Sequence, residues 1–556
     1  MTSLRFTPPD NYTGPRAGRG HNYGVSDADI AASYNDVAAF PSIEAVAKHL
    51  GFTAGSLRNR VAAIRAAGKP KLIDRYGLRF TPVERSNDIG PVKRYILTAA
   101  QDDTDLHEPF WRNLLAYADH VGAEVMVGPF TYNKAVFSDH ETRSGAFRAA
   151  LQPYLRYDQV DLGPIVFCAE MNTLPTAEHP LSGLDAYTGQ KWGVFPHAKI
   201  SLITVPTLVD RLPKQIMTTG CVTLPNYILK KAGLKAQFHH CIGATLVEID
   251  AEGRVFPRQI NATSDGNFQD LDAFVKDGVV TTAHRVEAIN WGDIHVPKVD
   301  PVVAMAAWGI DLDADAVSPG LGMIDALRPR FQFMHDLLDF RARNHHRIKD
   351  HRFRFAMVHN GTDRVEDEIV ATQRFLRQSE RDFCQTIVVQ SNHDDALGKW
   401  LDTADFREDP VNARFFLQCQ IARYDAIAEG NKRHSIFRDA MSWVDDRAME
   451  GIMFVSDDQS FLICQDSGGI ECAQHGHLGI NGARGSARGF MRTSVRTNRG
   501  HDHSPSIHGG VMTAGLAGLL DQDYNKGLSG WMHTHIVTYP SGKRTLVTMI
   551  DGRWRA

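Results

Sequence analysis

Five short clusters of aspartate, asparagine and histidine follow one another in the second half of the chain. Four of them come directly after an apolar or β-branched run, as in "TIVVQSNHD", which predicts that each lies on a loop at a strand end. Loops at one edge of a sheet bring their side chains together. The sequence therefore predicts a sheet with a polar site at one edge. The clusters are Asp293-x-His295, Asp336, Asn392-His393-Asp394, His475-x-His477 and Gly500-His501-x-His503.

The residue types in these clusters are metal ligands. Carboxylate, amide and imidazole donors together suit manganese, iron or zinc. The seven cysteines are scattered and form no CxxC pair, which argues against a zinc ribbon and against a disulfide framework. Taken alone, the Gly-His-x-His turn is more typical of surface histidines than of a metal site, since the chain contains 25 histidines. The ordered series of clusters favours a metal site.

The order D-x-H, D, N-H-D, H and G-H-x-H resembles the calcineurin-like metallophosphoesterase superfamily over residues 286–510. Two positions depart from that pattern, because His335 and Ser391 stand where the superfamily usually has glycine. The resemblance implies an α/β protein built on a metallophosphoesterase β-sandwich flanked by helices. It also implies hydrolysis of a phosphoester by a hydroxide that bridges two divalent ions. Mn²⁺ is favoured over Mg²⁺, Fe²⁺ or Zn²⁺.

The resemblance also assigns the ligands. One ion would be held by Asp293, His295, Asp336 and His503, and the other by Asp336, Asn392, His475 and His501. Asp336 would bridge the two ions. His475 or His477 could supply the fourth element. His475 is favoured, because a metal-binding histidine followed by glycine is the commoner pattern in the superfamily.

Two residues beside the ligands are candidates for the chemistry. By the same resemblance, His393 would face the substrate, where it could protonate the leaving oxygen or stabilise the charged transition state. Asp394 could orient that imidazole or fix the loop that carries it.

An arginine-rich run separates the fourth cluster from the fifth, and no acidic residue occurs from 472 to 501. A helix there would carry a stripe of cations, which could bind phosphate beside the metals or form an ordinary solvated face. Gly485 and Gly489 weaken the helix prediction. The arginines with four-residue spacing are Arg484, Arg488, Arg492 and Arg496, and Arg499 follows them.

The first 88 residues contain three helical patterns. The second and third, with small Ala47, Gly51 at the turn and apolar Leu57, have the spacing of a helix-turn-helix, and a wing could follow it. Such a unit could bind DNA or mediate protein contacts. The side chains predicted to reach DNA are Ser56, Arg58, Asn59 and Arg60.

Residues 89–284 read as a mixed α/β domain of unknown role, with a β-α-β unit at its start. The metallophosphoesterase domain is expected over 285–556. The net charge of −4 does not by itself indicate a nucleic-acid binder, and no apolar run is long enough to span a membrane. We therefore expect a cytoplasmic protein.

The predicted helix-turn-helix, the arginine run and the length of the chain favour DNA as the substrate. The whole layout also resembles the large pre-early DNA-degradation proteins of T-odd coliphages, which implies a phage DNase acting in the host cytoplasm. The alternatives are a phosphomonoesterase or nucleotide phosphodiesterase acting on small molecules, and a DNA-binding regulator or assembly factor with a structural metal domain. Self-association, strand preference and endo- versus exonuclease action stay open.

Overall fold

The computed structural model of the protein describes residues 24–73 apart from 38, 41 and 42, residues 91–132, and residues 145–556. Within the last range it leaves out 209–210, 345–346, 432–433, 446–448, 450 and 523–524.

The α-helices are α1 Asp27–Asn35, α2 Ile43–Leu50, α3 Ala54–Ala67, α4 Glu108–Val121, α5 Lys231–His239, α6 Pro301–Trp308, α7 Met323–Leu327, α8 His351–His359, α9 Val365–Ser379, α10 Ala396–Thr403, α11 Ala413–Ala428, α12 Ile436–Val444 and α13 Ala487–Phe490.

The strands are β1 Lys93–Gln101, β2 Glu124–Phe130, β3 Gln159–Asp161, β4 Ile165–Cys168, β5 Trp192–Phe195, β6 Ser201–Val205, β7 Thr207–Leu208, β8 Lys214–Thr218, β9 Gly243–Ile249, β10 Val255–Asn261, β11 Phe268–Asp270, β12 Ala273–Lys276, β13 Val279–Thr281, β14 Ala288–Asn290, β15 Ile310–Asp311, β16 Ala316–Val317, β17 Phe331–Met334, β18 Gln385–Val389, β19 Ile452–Val455, β20 Leu462–Ile463, β21 Ile470–Glu471, β22 Arg496–Arg499, β23 Ser506–His508, β24 Val511–Thr513, β25 Leu528–Ser529, β26 Thr534–Thr538 and β27 Arg544–Thr548.

Helices α1 to α3 form a small unit with its own apolar core. Ser26 caps α1 in a capping box with Asp29, and Thr53 caps α3 by accepting a hydrogen bond from the Ser56 N–H. Gly51 takes a positive φ of 76° in the turn between α2 and α3, where a side chain would be strained. The three predicted helices are therefore present. A wing after α3 would lie in residues 74–90, outside the described residues.

The predicted β-α-β unit is present at the start of residues 89–284, which are called the middle range below. Strand β1 pairs in parallel with β2, and α4 connects the two. Antiparallel β9 and β10 extend the sheet in the order β10-β9-β1-β2. Buried Phe110 and Leu114 on one face of α4 pack with Ile96 of β1, as expected for an amphipathic crossover helix.

Residues 285–556 are called the third range below. A six-stranded sheet in the order β19-β18-β17-β14-β26-β27 lies at their centre. Strands β14, β17, β18 and β19 run parallel, so their carboxyl ends meet at one edge. They are short and apolar, which fits strands covered on both faces. One face packs on helices α6, α9 and α10 through Trp308, Ile369 and Leu397.

A ten-stranded sheet in the order β20-β21-β22-β24-β23-β6-β8-β5-β4-β3 faces the six-stranded one. Phe333, Ile387 and Ile470 are packed together in the apolar layer between the two sheets. Strand β23 pairs with β6, so this sheet draws strands from both sides of residue 284. The ten-stranded sheet therefore crosses residue 284, the predicted boundary between the middle and the C-terminal domain.

None of the described helices combines the length and the apolar character that a membrane crossing requires.

Candidate metal centre

Two sheets deliver the predicted ligands to one place. Strands β14, β17 and β18 end just before Asp293, Asp336 and Asn392, at the shared carboxyl edge of the six-stranded sheet. Strands β21 and β22, parallel neighbours in the ten-stranded sheet, end before His475 and His501. The centre lies where the edges of the two sheets meet, so residues from distant parts of the chain converge.

The first donor group contains four buried side chains, Asp293, His295, Asp336 and His503, whose ligand atoms all lie within 4.8 Å of one another. Nε2 of His503 is 3.0 Å from Oδ2 of Asp293. Nε2 of His295 lies 3.3 Å from Nε2 of His503. Donors on one transition-metal ion each lie about 2.0–2.2 Å from it, so these spacings fit a single ion.

The second donor group shares Asp336 with the first. Oδ2 of Asp336 lies 3.2 Å from Nε2 of His475, and Oδ1 of Asn392 lies 3.1 Å from the same nitrogen. The ring of His501 is 5.1 Å from the ring of His475, centroid to centroid. These residues are the second set that the sequence analysis assigned. The structure thus brings all seven predicted ligands together.

The backbone at this centre is strained. His295, Asp336, His501 and His503 have φ values of 53°, 44°, 76° and 53°. Positive φ is uncommon for residues other than glycine and costs on the order of 1–3 kcal/mol each. Four of the seven predicted ligands adopt it. A conformation that aims side chains inward at such a cost is typical of a functional site.

The donor atoms themselves fit metal ions. Oδ1 of Asp293 is buried and makes no hydrogen bond. A Cβ on Gly500 would lie 2.1 Å from Oδ1 of Asp293, so only glycine allows the turn to approach that carboxylate. An unsatisfied buried acceptor is costly, and coordination would satisfy this oxygen.

His393 lies beside the centre, and its side chain is 18% exposed. Its Nδ1 is 3.0 Å from the backbone oxygen of Asp339, which can only accept, so Nδ1 carries a proton. Nε2 is then left for a substrate. Burial lowers the pKa of His393, and the Asp336 carboxylate opposes that shift.

Asp339 lies at the centre, although the sequence analysis found no role for it. Its Oδ1 lies 3.3 Å from Nδ1 of His295 and 3.7 Å from Nδ1 of His393, and Nζ of Lys298 is 3.4 Å from Oδ2. The buried carboxylate of Asp339 therefore lies beside the rings of a predicted ligand and of the candidate proton donor. The signal in the sequence was its position three residues after Asp336.

Asp394 was given two alternative roles, and its contacts match the second. Its Oδ1 accepts a hydrogen bond from the N–H of Leu338 at 2.9 Å, and Oγ of Ser391 lies 2.8 Å from Oδ2. Asp394 thus ties the loop after β18 to the loop that carries Asp336. It is Asp339 that contacts the His393 ring.

His335 and Ser391, which stand where the superfamily usually has glycine, fit the backbone without strain. Neither His335 nor Ser391 has a positive φ, so this backbone does not require glycine there. Ser391 uses its hydroxyl on Asp394. His335 is buried with its ring 5.7 Å from that of His475, and its backbone oxygen accepts from the Ile294 N–H.

His477 lies outside the two donor groups. Its Nε2 is 3.7 Å from Oδ2 of Asp457, and these two residues form a separate group with Asp395. Of the two histidines considered for the fourth element, His475 is the one at the centre.

The arginine run does not form a helical stripe, which corrects the prediction. Helix α13 spans only Ala487–Phe490, and Arg496 lies in β22, where it donates to the backbone oxygens of Gly469, Gly542 and Ser467. Arg484, Arg488 and Arg492 are exposed. The backbone at Gly485 packs against Gly476, between the two histidines of the fourth cluster. Arg484 precedes this contact, and its backbone bridges Leu478 just after the fourth cluster.

Arg499 is buried and forms an ion pair with Asp502. It also donates to the backbone oxygen of Gly476 at 3.2 Å. Arg499 therefore braces the turn that carries the fifth cluster.

The side chains predicted to reach DNA from α3 make contacts within the protein. Arg58 lies 3.5 Å from Asp382, and Oδ1 of Asn59 accepts from Nε2 of Gln385 in β18 at 3.3 Å. Arg60 pairs with Asp27 at 2.7 Å, and Ser56 is half-buried. Arg58 and Asn59 thus face the start of β18 in the six-stranded sheet, whereas Arg60 stays exposed and pairs with α1.

Comparison with known proteins gives one informative relative. Protein A1 of Escherichia phage T5 is 40% identical over 475 residues, which cover 84% of this chain and 83% of the relative. No protein-family model and no solved structure matches the chain.

Proposed function

The chain belongs to the family of Protein A1 of Escherichia phage T5, and we propose that it is a two-metal phosphodiesterase that hydrolyses DNA. One observation carries this proposal. Asp336 is shared by two converging donor groups, as a carboxylate that bridges two ions would be. Arrangements of this kind serve in-line displacement at phosphorus.

Two divalent ions, Mn²⁺ being favoured, would be held by the seven residues described above. When bound, such ions lower the pKa of a water and neutralise the charge of a phosphodiester. The donors are carboxylate, amide and imidazole, and no cysteine is among them, which suits manganese better than a thiolate-loving ion.

The chain itself contributes positioning and proton transfer. Nδ1 of His393 lies against the backbone oxygen of Asp339, so the imidazole beside the centre keeps one orientation. With Nδ1 donating to the backbone oxygen of Asp339, the Nε2 side of His393 can give a proton to the leaving oxygen when the ring is protonated. The partial exposure of His393 places this ring where a substrate can reach it.

DNA is favoured over a small ester by the surroundings of the centre. Arg484 is exposed beside the fourth cluster, and Arg488 and Arg492 follow it on the same exposed segment. A small phosphate ester would fill only the centre, whereas a strand carries further phosphates that these cations can bind.

The test compares four substrates with the full-length protein and Mn²⁺: supercoiled DNA, linear DNA, the diester bis-p-nitrophenyl phosphate and the monoester p-nitrophenyl phosphate. We expect hydrolysis of DNA and of the diester, both abolished by EDTA and restored by Mn²⁺. Hydrolysis of p-nitrophenyl phosphate but not of any diester would contradict the proposal and favour a phosphomonoesterase. DNA binding with no hydrolysis of any ester would favour a regulator.

A further inference from the structure

A cavity of about 470 Å³ lies away from the metal centre, where the middle range meets the end of the chain. It is bounded by the end of α5, by the turn between β26 and β27, and by β22 and β24. Four cations line it and, among its described lining residues, there is no aspartate or glutamate. These cations are Lys199, Arg496, Lys543 and Arg544.

The two arginines leave this charge uncompensated. Arg496 donates to three backbone oxygens, and Arg544 donates to the backbone oxygens of Thr497 and Gly510 and to Oδ1 of Asn498. Neither forms an ion pair within the described part of the chain. Burial, together with the charge of Arg496, lowers the pKa of Arg544 to about 9. The cavity is therefore a positively charged site in a protein whose net charge is −4, and its electrostatic field favours an anion.

An exposed aromatic ring stands at the rim of the cavity. Phe238, on α5, is 83% exposed, and Leu234 one turn earlier is 52% exposed. Helix α5 also carries Lys231, and it contains no acidic residue, although its Lys235 pairs with Glu178 from outside the helix at 2.9 Å. An exposed aromatic ring among cations is the arrangement by which proteins hold a nucleic-acid strand, with a base stacked on the ring and phosphates on the cations.

The cavity is connected to the metal centre by a single strand. Arg496 begins β22, and Gly500 and His501 follow the end of that strand. The five residue steps from Arg496 to His501 span about 16 Å when the chain is extended. A few nucleotides of an extended single-stranded DNA can cover that distance.

We propose that this groove binds the phosphodiester backbone of a single-stranded stretch of the DNA substrate, with a base against Phe238, a few nucleotides from the bond that is cut. This inference rests on the proposed function, because it takes DNA as the substrate. It gives the middle range a role in holding the strand.

The test uses variants at exposed or half-buried positions, so that folding is preserved. Phe238→Ala has Phe355→Ala as its matched control, since Phe355 is 70% exposed on α8. Lys543→Gln has Lys276→Gln as its control, an exposed lysine at the end of β12. Binding of a fluorescent 20-nucleotide single strand is measured by anisotropy in EDTA at several salt concentrations, so that no hydrolysis occurs.

We expect Phe238→Ala to weaken binding about tenfold, the usual effect of losing one stacked base. Lys543→Gln should weaken binding and reduce the slope of log affinity against log salt by about 0.7, as expected for one lost phosphate contact on a single strand. Both controls should match wild type. Unchanged affinity and slope in both groove variants would overturn the proposal.

Hydrolysis of bis-p-nitrophenyl phosphate with Mn²⁺ separates this failure from failure of the proposed function. The groove variants should cleave that small diester at the wild-type rate. If the wild type hydrolyses DNA while the groove variants bind it normally, only the groove is refuted. If the wild type hydrolyses no diester, the proposed function fails, and the anisotropy result still decides whether the groove binds a strand.

Discussion

Oδ2 of Asp336 and Nε2 of His475 lie 3.2 Å apart, although one follows a strand of the six-stranded sheet and the other a strand of the ten-stranded sheet. This contact joins the two donor groups. The carboxylate lies within ligand distance of Nε2 of His295 in one group and of His475 in the other. A residue in that position cannot be replaced without loss of both groups.

We therefore expect Asp336→Asn to lose metal and activity together. The amide keeps the shape of the side chain but removes the charge that two cations would share. Metal content by inductively coupled plasma mass spectrometry and the rate on DNA should fall in parallel. An Asp336→Asn protein that keeps two ions would show that Asp336 does not bridge them.

His393→Ala should retain both ions, because its ring is not among the seven ligands. Its rate on DNA should fall by roughly 10²–10⁴-fold, the usual contribution of a positioned proton donor. A diester with a p-nitrophenolate leaving group needs little protonation and should be far less affected. Equal loss on both substrates, or loss of metal, would rule out the proton-donor role.

Asp339→Asn should disturb both histidines that it contacts. Metal affinity should fall by about 10–100-fold, as is usual when a partner of a ligating imidazole is changed. The pH profile on DNA should also shift, because the carboxylate near His393 is gone. Asp394→Asn is the comparison, since Asp394 contacts the loop and not the imidazole, and its pH profile should stay near wild type. Identical profiles in the two variants would contradict the assignment of Asp339.

Arg58→Ala tests which way the third helix faces. Because Arg58 pairs with Asp382 of the same chain, its loss should leave DNA affinity and the salt slope of binding unchanged. Anisotropy with a duplex measures both quantities. A weaker affinity with a smaller slope would show that α3 turns toward DNA in solution, as the helix-turn-helix prediction supposes.

A buried carboxyl predicts a pH-dependent stability. Burial, and secondly the charge of Asp339, raises the pKa of Glu368 to about 8, far above about 4.3 in an unfolded chain. The folded protein then holds a proton that the unfolded chain lacks. This contribution is fully present below about pH 4 and is lost as the pH rises to about 8.

Glu368→Gln should remove this dependence while keeping the acceptor for the Ala342 N–H. From pH 5 to pH 8, its melting temperature, followed by circular dichroism, should fall less than that of wild type. Parallel curves for the two proteins would show that Glu368 is ionised in the folded state.

The clusters predicted both the strands and the candidate ligands, because each β-rich run in the sequence is followed directly by polar, metal-binding residue types. A β-branched run such as the one in β18 fixes where the chain becomes extended, and the polar residues after it must lie at the strand end. The turn between the second and third helices was equally predictable, because Gly51 ends α2 by its local geometry.

Long-range packing could not be predicted from local sequence patterns. The pairing of β6 with β23 joins residues far apart in sequence, and no local pattern specifies it. The four-residue spacing of the arginines indicated a helix, but Arg496 became part of a strand because β21 and β24 provide hydrogen bonds on both sides. The side of α3 that packs on β18 likewise depends on a partner surface that the helix sequence does not contain.

The most direct test is anomalous diffraction from crystals of the protein soaked in Mn²⁺. We predict two peaks per chain about 3.5–4 Å apart, with Asp336 between them. One peak should lie among Asp293, His295 and His503, and the other among Asn392, His475 and His501. A single peak, or two peaks of which neither contacts Asp336, would contradict a two-metal centre at this site.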